Sequence, residues 1–142
     1  MMSEKIFISH SEDETRKFGF DYAKNLKPGQ IILLYGDLGA GKTVFVRGVC
    51  EAFGITGVRS PSFTLINEYK SPSGLYIIHS DLYRLDSEGV YSLGLEEYYD
   101  SILFVEWPER WENPPANSRK IFFTALNENE REIKFRNEYT CC

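Results

Sequence analysis

The sequence predicts an α/β domain in which helices flank a mixed central sheet. Two nearly uninterrupted apolar runs, residues 30–35 and 102–106, have the character of parallel strands that are covered on both faces. Segments with helical spacing alternate with them, and turn-forming residues join two further pairs of strand-like segments as hairpins. Parallel strands and hairpins in one chain indicate a sheet of mixed direction. The length of 142 residues is that of one domain, here residues 1–142.

The first predicted elements are a short strand and an amphipathic helix. Residues 5–9 alternate in polarity as a strand does. Ser11 and Glu14 have the spacing of a capping box, in which each side chain satisfies a backbone N–H group of the first turn. The apolar positions of the helix recur at i, i+4 and i+8, at Phe18, Tyr22 and Leu26. The helix is therefore expected to include Leu26 and to end before Pro28.

The remaining elements follow from apolar runs and turn residues. Residues 30–35 form a buried strand, and residues 42–53 form a second helix with Gly54 as its C-terminal cap. The later predicted strands are residues 64–69 and 75–79, a hairpin joined by 71–74, then residues 102–106, then a second hairpin of 119–126 and 131–135 joined by 127–130.

Charge and composition exclude several classes of protein. The chain has 16 Lys and Arg against 21 Asp and Glu, a net charge of −5, without a basic cluster. Direct nucleic-acid binding is disfavoured, because it normally uses a basic face. The longest apolar run has five residues and the N-terminus lacks a secretory pattern, so we expect a cytoplasmic protein without membrane association. Three cysteines do not suggest a disulfide framework, and Cys50 is expected to be a buried apolar residue.

Residues 36–43, GDLGAGKT, match the phosphate-binding pattern G-x-x-x-x-G-K-[ST] between a predicted strand and a predicted helix. Glycines allow backbone N–H groups to turn toward a phosphate at the positive end of the helix. In this pattern Lys42 reaches the β- and γ-phosphates, and the Thr43 hydroxyl binds Mg²⁺. The sequence therefore predicts a single-domain P-loop NTPase.

Two acidic residues each end an apolar stretch: Asp81 after residues 77–80 and Glu106 after residues 102–105. Both carboxylates are thereby expected at the C-terminal edge of the sheet, where open α/β sheets bind ligands. A phosphate-binding loop needs such groups to hold a metal ion and to orient water. His79, two residues before Asp81, is expected to make a structural hydrogen bond rather than to act as a base.

Four motifs together resemble the TsaE (YjeE-type) ATPases. They are GDLGAGKT at 36–43, SPSFTL at 60–65, HSDLYRL at 79–85 and EWPE at 106–109. They stand in the order of that family, and with the first strand and helix they cover residues 5–110. The family acts in bacterial formation of N6-threonylcarbamoyladenosine at adenosine 37 of tRNAs that read ANN codons. Beyond residue 113 no motif of the resemblance is present.

The resemblance implies a site for ATP and Mg²⁺. The ATP-binding residues would be Thr15, Gly39, Ala40, Gly41, Lys42, Thr43 and Val44. The metal would be held by Thr43, Glu106 and Asp81, and the catalytic residues would be Asp81 and Glu106. Asp81 would act either through a metal-bound water or by positioning the attacking water. Ser60, Ser62 and Thr64 would supply the hydroxyls of a switch-like loop that senses the γ-phosphate, although the family usually carries threonine where Ser62 stands. Trp107 would lie beside the site.

The resemblance also implies protein partners. In the family, the TsaB–TsaD pair transfers the threonylcarbamoyl group to tRNA, and the small ATPase docks on that pair and resets it between turnovers. The chain would then be a slow, partner-stimulated ATPase that meets tRNA only through its partners. The acidic charge agrees with that indirect role.

Three other functions use the same phosphate-binding loop. A GTP switch is suggested by the D-x-x-G sequence at residues 86–89 and by Cys141 and Cys142 as lipid acceptors, but the guanine-reading N-K-x-D motif does not occur. A small-molecule kinase usually has a lid rich in arginine, whereas the arginines here are scattered. A non-catalytic nucleotide-dependent adaptor would keep Lys42 and Thr43 but would tolerate the loss of Asp81.

Overall fold

The computed structural model describes residues 2–61 and 65–138. Its strands are β1 (Met2–Ser9), β2 (Ile31–Tyr35), β3 (Ile66–Lys70), β4 (Tyr76–Asp81), β5 (Ile102–Glu106), β6 (Arg119–Ala125) and β7 (Arg131–Glu138). Its α-helices are α1 (Glu12–Tyr22), α2 (Lys42–Ala52) and α3 (Ser87–Leu93), with short 3₁₀ turns at Ala23–Asn25, Leu95–Tyr98 and Pro108–Arg110.

All these strands join one sheet in the order β1-β7-β6-β2-β5-β4-β3. The central strands β6, β2, β5 and β4 run parallel, while the hairpin β3–β4 and the pairs β6–β7 and β1–β7 are antiparallel. The predicted α/β fold with a mixed sheet and flanking helices is therefore confirmed.

Each face of the central sheet is covered by a separate apolar cluster. In β2, Ile32 and Leu34 pack toward α1 and α2, whereas Ile31 and Leu33 pack toward the cluster that includes Val90 of α3. Successive side chains of these strands point into the apolar cluster on one face and then into the cluster on the other. Polar side chains are therefore tolerated chiefly where a strand ends, because there they can reach solvent or a ligand. This arrangement concentrates functional chemistry at the C-terminal edge of the sheet.

Helices α1 and α2 meet backbone to backbone through two glycines. A Cβ atom on Gly19 would lie 2.2 Å from the carbonyl oxygen of Phe45, and one on Gly48 would lie 1.9 Å from that of Arg16. Arg16 also pairs with Glu51 at 2.7 Å across the same interface. Since α2 begins directly after the glycine-rich loop, this close crossing fixes the loop relative to α1.

The first helix is shorter than the sequence predicts. It ends at Tyr22, and a 3₁₀ turn carries the chain to Leu26, whose backbone is extended and whose side chain remains buried. The expectation that Leu26 continues the helix is wrong because the chain must turn there to enter β2. Leu26 thus keeps its apolar contact with the core without helical geometry.

Other bounds also differ from the expected ones. β1 and β7 are longer than predicted because they pair residue for residue from Met2 opposite Glu138 to Ser9 opposite Arg131. Helix α3 was not predicted. Position 64, the expected start of the third strand, lies outside the described residues, and β3 begins at Ile66. None of the helices within the described parts of the chain is long and apolar enough to cross a lipid bilayer.

Candidate functional site

The glycine-rich loop, residues 36–41, connects the end of β2 to the start of α2. Gly41 has φ 101° and caps α2 in a left-handed conformation that favours glycine. Gly36 has φ 144°, and a Cβ atom there would lie 2.6 Å from the carbonyl oxygen of Phe123. The chain can therefore turn tightly under β6 and present the unpaired N–H groups of the first α2 turn to an anion.

Lys42 is the first residue of α2 and is only 4% exposed. Its Nζ donates to the carbonyl oxygen of Gly36, lies 3.7 Å from Oε1 of Glu106, and lies 4.9 Å from the ring centre of Trp107. A buried ammonium group needs such compensation, because water no longer solvates it. The position of Trp107 beside the loop agrees with the expectation, and its backbone is in the left-handed region at φ 56°.

Asp81 and Glu106 are direct partners in the parallel register of β4 and β5. Both end their strands and both are buried, at 7% and 5% exposure. Burial raises the pKa of Asp81 above its usual value; the Tyr83 N–H bond to Oδ1 at 3.0 Å opposes this, the Glu106 charge adds to it, and Lys42 and His79 lower it. Asp81 is thus a stronger base than an ordinary aspartate.

His79 lies two residues before Asp81 on the same face of β4 and is fully buried. Its Nε2 lies 2.5 Å from Oε2 of Glu106, which agrees with the expected structural hydrogen bond. Glu106 therefore contacts a ring nitrogen with one oxygen and approaches the Lys42 ammonium with the other.

These groups border a cavity of about 340 Å³. The sequence-predicted residues that line it are Thr15, Gly39, Gly41, Lys42, Thr43, Val44, Ser60, Asp81 and Glu106. Ala40 does not line it, because its side chain packs in the core and its N–H donates to the carbonyl oxygen of Asp37 at 3.1 Å. Ser62 and Thr64 lie outside the described residues.

Sequence reasoning missed one wall of the cavity, the tip of the β6–β7 hairpin. Glu128, Asn129 and Arg131 line the cavity there, together with Ser11, Glu12 and Leu38 from other segments. Arg131 donates from Nη2 to the carbonyl oxygen of Gly39 at 3.1 Å and from Nη1 to that of Asn127 at 2.7 Å. The hairpin is thereby braced against the glycine-rich loop. The only sequence signal was the turn at residues 127–130, which does not reveal what the tip touches.

The oxygen atoms available at this site suit a magnesium ion that is bound together with a phosphate group. In the described residues no three His, Cys, Asp or Glu side chains are grouped so that they could hold a metal ion by themselves. Near Lys42 the available ligands are the Thr43 hydroxyl and the carboxylates of Asp81 and Glu106. Mg²⁺ prefers such oxygen ligands and commonly uses one or two carboxylates plus substrate phosphates and water.

Comparison with known proteins assigns the family. The family model described as "Threonylcarbamoyl adenosine biosynthesis protein TsaE" matches residues 9–133. The chain belongs to the TsaE family of threonylcarbamoyladenosine biosynthesis proteins. It is 40% identical over 137 residues to the tRNA threonylcarbamoyladenosine biosynthesis protein TsaE of Rickettsia bellii, covering 93% of this chain and 94% of that protein. For the protein of the same name from Aquifex aeolicus, the identity is 41% over 133 residues, with 92% and 94% covered.

A solved structure agrees with this assignment. The crystal structure of YdiB from Bacillus subtilis superposes with a TM-score of 0.76 at 34% identity, covering 96% of this chain and 86% of YdiB. The resemblance inferred from four motifs is therefore confirmed.

The D-x-x-G sequence at residues 86–89 serves a structural purpose in this chain. Asp86 caps α3, because its side chain accepts a hydrogen bond from the Gly89 N–H at 2.8 Å.

Proposed function

We propose that this TsaE protein binds ATP with Mg²⁺ in the cavity at residues 36–43 and hydrolyses it slowly. It would act in the cytoplasm as an accessory protein that docks on the TsaB–TsaD pair and supports repeated threonylcarbamoyl transfer to adenosine 37 of tRNA. One observation carries the nucleotide part of this proposal. The glycine-rich loop, the buried Lys42 ammonium and the adjacent carboxylates of Asp81 and Glu106 line a single cavity.

The chain's own groups account for each requirement of phosphate binding. The N–H groups at the start of α2 and the Lys42 ammonium supply positive potential for the phosphates. Thr43 and Glu106 would hold Mg²⁺, which neutralises charge on the phosphates when it is bound. The cavity is lined by backbone and side chains from α1, the loop, the strand ends and the hairpin tip, which limits the water that reaches the phosphates.

Asp81 is the residue best suited to accept a proton from water. In hydrolysis the water oxygen attacks the γ-phosphorus, the bond to the β–γ bridging oxygen breaks, and the water proton moves toward the Asp81 carboxylate. Its raised pKa increases its basicity, and the Tyr83 N–H fixes its orientation. Glu106, held by His79 and near Lys42, is better placed as a metal ligand than as the base.

The accessory role is supported by family membership and by charge. With 21 acidic against 16 basic residues, the chain is poorly suited to hold tRNA directly, so tRNA contact is assigned to the partners. We therefore assign ATP turnover to this chain and group transfer to the TsaB–TsaD pair.

The test is ATP hydrolysis by the purified chain, alone and with the TsaB–TsaD pair of the same organism, with GTP in parallel. We expect slow turnover alone, a clear increase with the pair, and little turnover of GTP. Lys42→Ala should weaken ATP binding by a factor on the order of a hundred, since it removes a charge-assisted contact to the phosphates. Lys24→Ala, an exposed lysine on the 3₁₀ turn after α1, is the matched control and should bind normally.

Three outcomes would each contradict a part of the proposal. Unchanged ATP affinity in Lys42→Ala would show that the cavity is not the nucleotide site. Fast turnover by the chain alone, equal with GTP and indifferent to the pair, would remove the accessory role. ATP binding without any turnover, even with the pair present, would favour the non-catalytic adaptor.

A further inference from the structure

His79 is buried beneath the candidate site. Its side chain is fully buried in β4, on the face that packs toward α1 and α2. Ile77 and Phe104 of the same apolar cluster lie on this face, Phe104 directly opposite His79 in the register of β4 and β5. A site that required only volume would be filled more favourably by an apolar side chain, because burial of a polar ring costs free energy.

The two ring nitrogens of His79 have different surroundings. Nε2 lies 2.5 Å from Oε2 of Glu106, while Nδ1 is buried without a hydrogen-bond partner. Since a carboxylate oxygen accepts hydrogen bonds, this contact requires a ring proton on Nε2. The opposite tautomer would leave a buried N–H group unpaired and two acceptors facing each other, which is the costlier arrangement.

The hydrogen bond fixes one oxygen of Glu106 and leaves the other for the cavity. Oε2 is occupied by His79, and Oε1 lies 3.7 Å from the Lys42 ammonium. Without the ring, the Glu106 side chain could turn about its last torsion angle and present either oxygen, since that torsion is soft. Outer-shell partners of this kind orient metal ligands in proteins and raise metal affinity.

We propose that His79 is a positioning residue which, as the Nε2–H tautomer, holds Glu106 so that Oε1 is presented to the Mg²⁺ that accompanies ATP. This inference rests on the proposed Mg²⁺–ATP function of the cavity. It assigns to His79 a role in metal affinity, separate from both phosphate binding and proton transfer.

The experiment compares two amide substitutions that differ in where the donor lies. In His79→Gln the amide nitrogen falls near the original Nε2 position and can still reach Glu106, whereas in His79→Asn it falls near Nδ1 and cannot. The measured quantity is the Mg²⁺ concentration that half-saturates binding of a fluorescent non-hydrolysable ATP analogue. Direct Mn²⁺ binding by electron paramagnetic resonance, with the same analogue present, is the second readout. Analogue affinity in EDTA and the melting temperature are recorded for each variant.

We expect His79→Asn to raise the half-saturating Mg²⁺ concentration by about tenfold or more, the scale of lost outer-shell contacts. His79→Gln should stay within about threefold of the wild type, and analogue affinity in EDTA should be the same for all three within about twofold. Equal Mg²⁺ dependence in the Asn and Gln variants would overturn the inference. Wild-type binding that does not respond to Mg²⁺ would instead remove the metal part of the proposed function, and this inference with it.

A measurement on the unaltered chain keeps the inference testable if a variant does not fold. The chain has two histidines, so the ring ¹⁵N signals of His79 and His10 are readily separated by a His10→Gln control. Two-bond ¹H–¹⁵N correlation spectra should show the Nε2–H tautomer for His79, with and without Mg²⁺ and the analogue. An Nδ1–H tautomer in the Mg²⁺-bound state would overturn the inference.

Discussion

Substitution of Gly48 by alanine tests whether the backbone-to-backbone crossing of α1 and α2 is essential. An alanine Cβ at this position would lie 1.9 Å from the Arg16 carbonyl oxygen and within about 3 Å of two further backbone atoms of α1. Ordinary contact begins near 3.4 Å, so the helices must separate by more than 1 Å. No flexible side chain can relieve the contact. The expected cost is about 3 kcal/mol, the upper range for overpacking, and alanine regains about 1 kcal/mol through helix propensity.

The free energy of unfolding is therefore expected to fall by about 2 kcal/mol, which lowers the melting temperature by roughly 6–10 °C for a domain of this size. Urea unfolding measures it, with Gly89→Ala as the control. Gly89 is also helical, but its nearest neighbour is the flexible Leu85 side chain at 3.1 Å, so this variant should match the wild type or exceed it by up to about 1 kcal/mol. If Gly48→Ala is as stable as Gly89→Ala, the argument from close packing is refuted.

Two further predictions concern buried ionisable groups. In Asp81→Asn, the amide avoids the cost of a buried carboxylate, so at pH 7 we expect a stability gain of about 1 kcal/mol together with a loss of turnover on the order of a hundredfold. Because burial raises the pKa of Asp81, the wild type loses stability only as the pH rises through that raised pKa. Below pH 3.8 the carboxyl is protonated in both the folded and the unfolded chain, so the stability gain of the Asn variant should vanish. Thermal melts that show the same stability gain at every pH would contradict this. Burial likewise raises the pKa of the Cys50 thiol to about 12, so in a chain with Cys141→Ser and Cys142→Ser a maleimide at pH 7 should label Cys50 only on unfolding. Mass spectrometry that finds labelling of the native chain within minutes would refute the assignment.

The parts of the site that the sequence predicts are those encoded by local pattern. The glycines of the GDLGAGKT loop determine its backbone geometry. An acidic residue that follows an apolar parallel strand lies at the C-terminal edge of the sheet, whichever strand is its neighbour. Asp81 and Glu106 lie next to each other provided that β4 and β5 are parallel and adjacent, as they are in the sheet. These inferences required no knowledge of distant contacts.

The parts that the sequence does not predict depend on contacts between remote segments. Arg131 reaches the Gly39 carbonyl only because β7 lies between β1 and β6, a placement that no local periodicity encodes. Helix α3 is only seven residues long, and the Asp86 that caps its start stands in a sequence that resembles a nucleotide-binding motif. The end of α1 differs from the predicted one because Leu26 fits an apolar pattern in extended as well as in helical backbone.

The pairing of β1 with β7 has a consequence for the order in which the molecule can be built during translation. β1 is the first described strand to leave the ribosome, yet its partner in the sheet is the last described strand, β7. The segment that follows β1, with Ser11 and Thr15, and the start of β7, with Arg131, lie side by side and line the same cavity. The nascent chain can pair β2, β5 and β4 before β6 and β7 are synthesised, but the cavity is complete only when synthesis has passed Arg131 at the start of β7. Contacts of such high sequence separation are slow to form, so the ability to retain a ligand is expected to be among the last properties that the folding chain acquires.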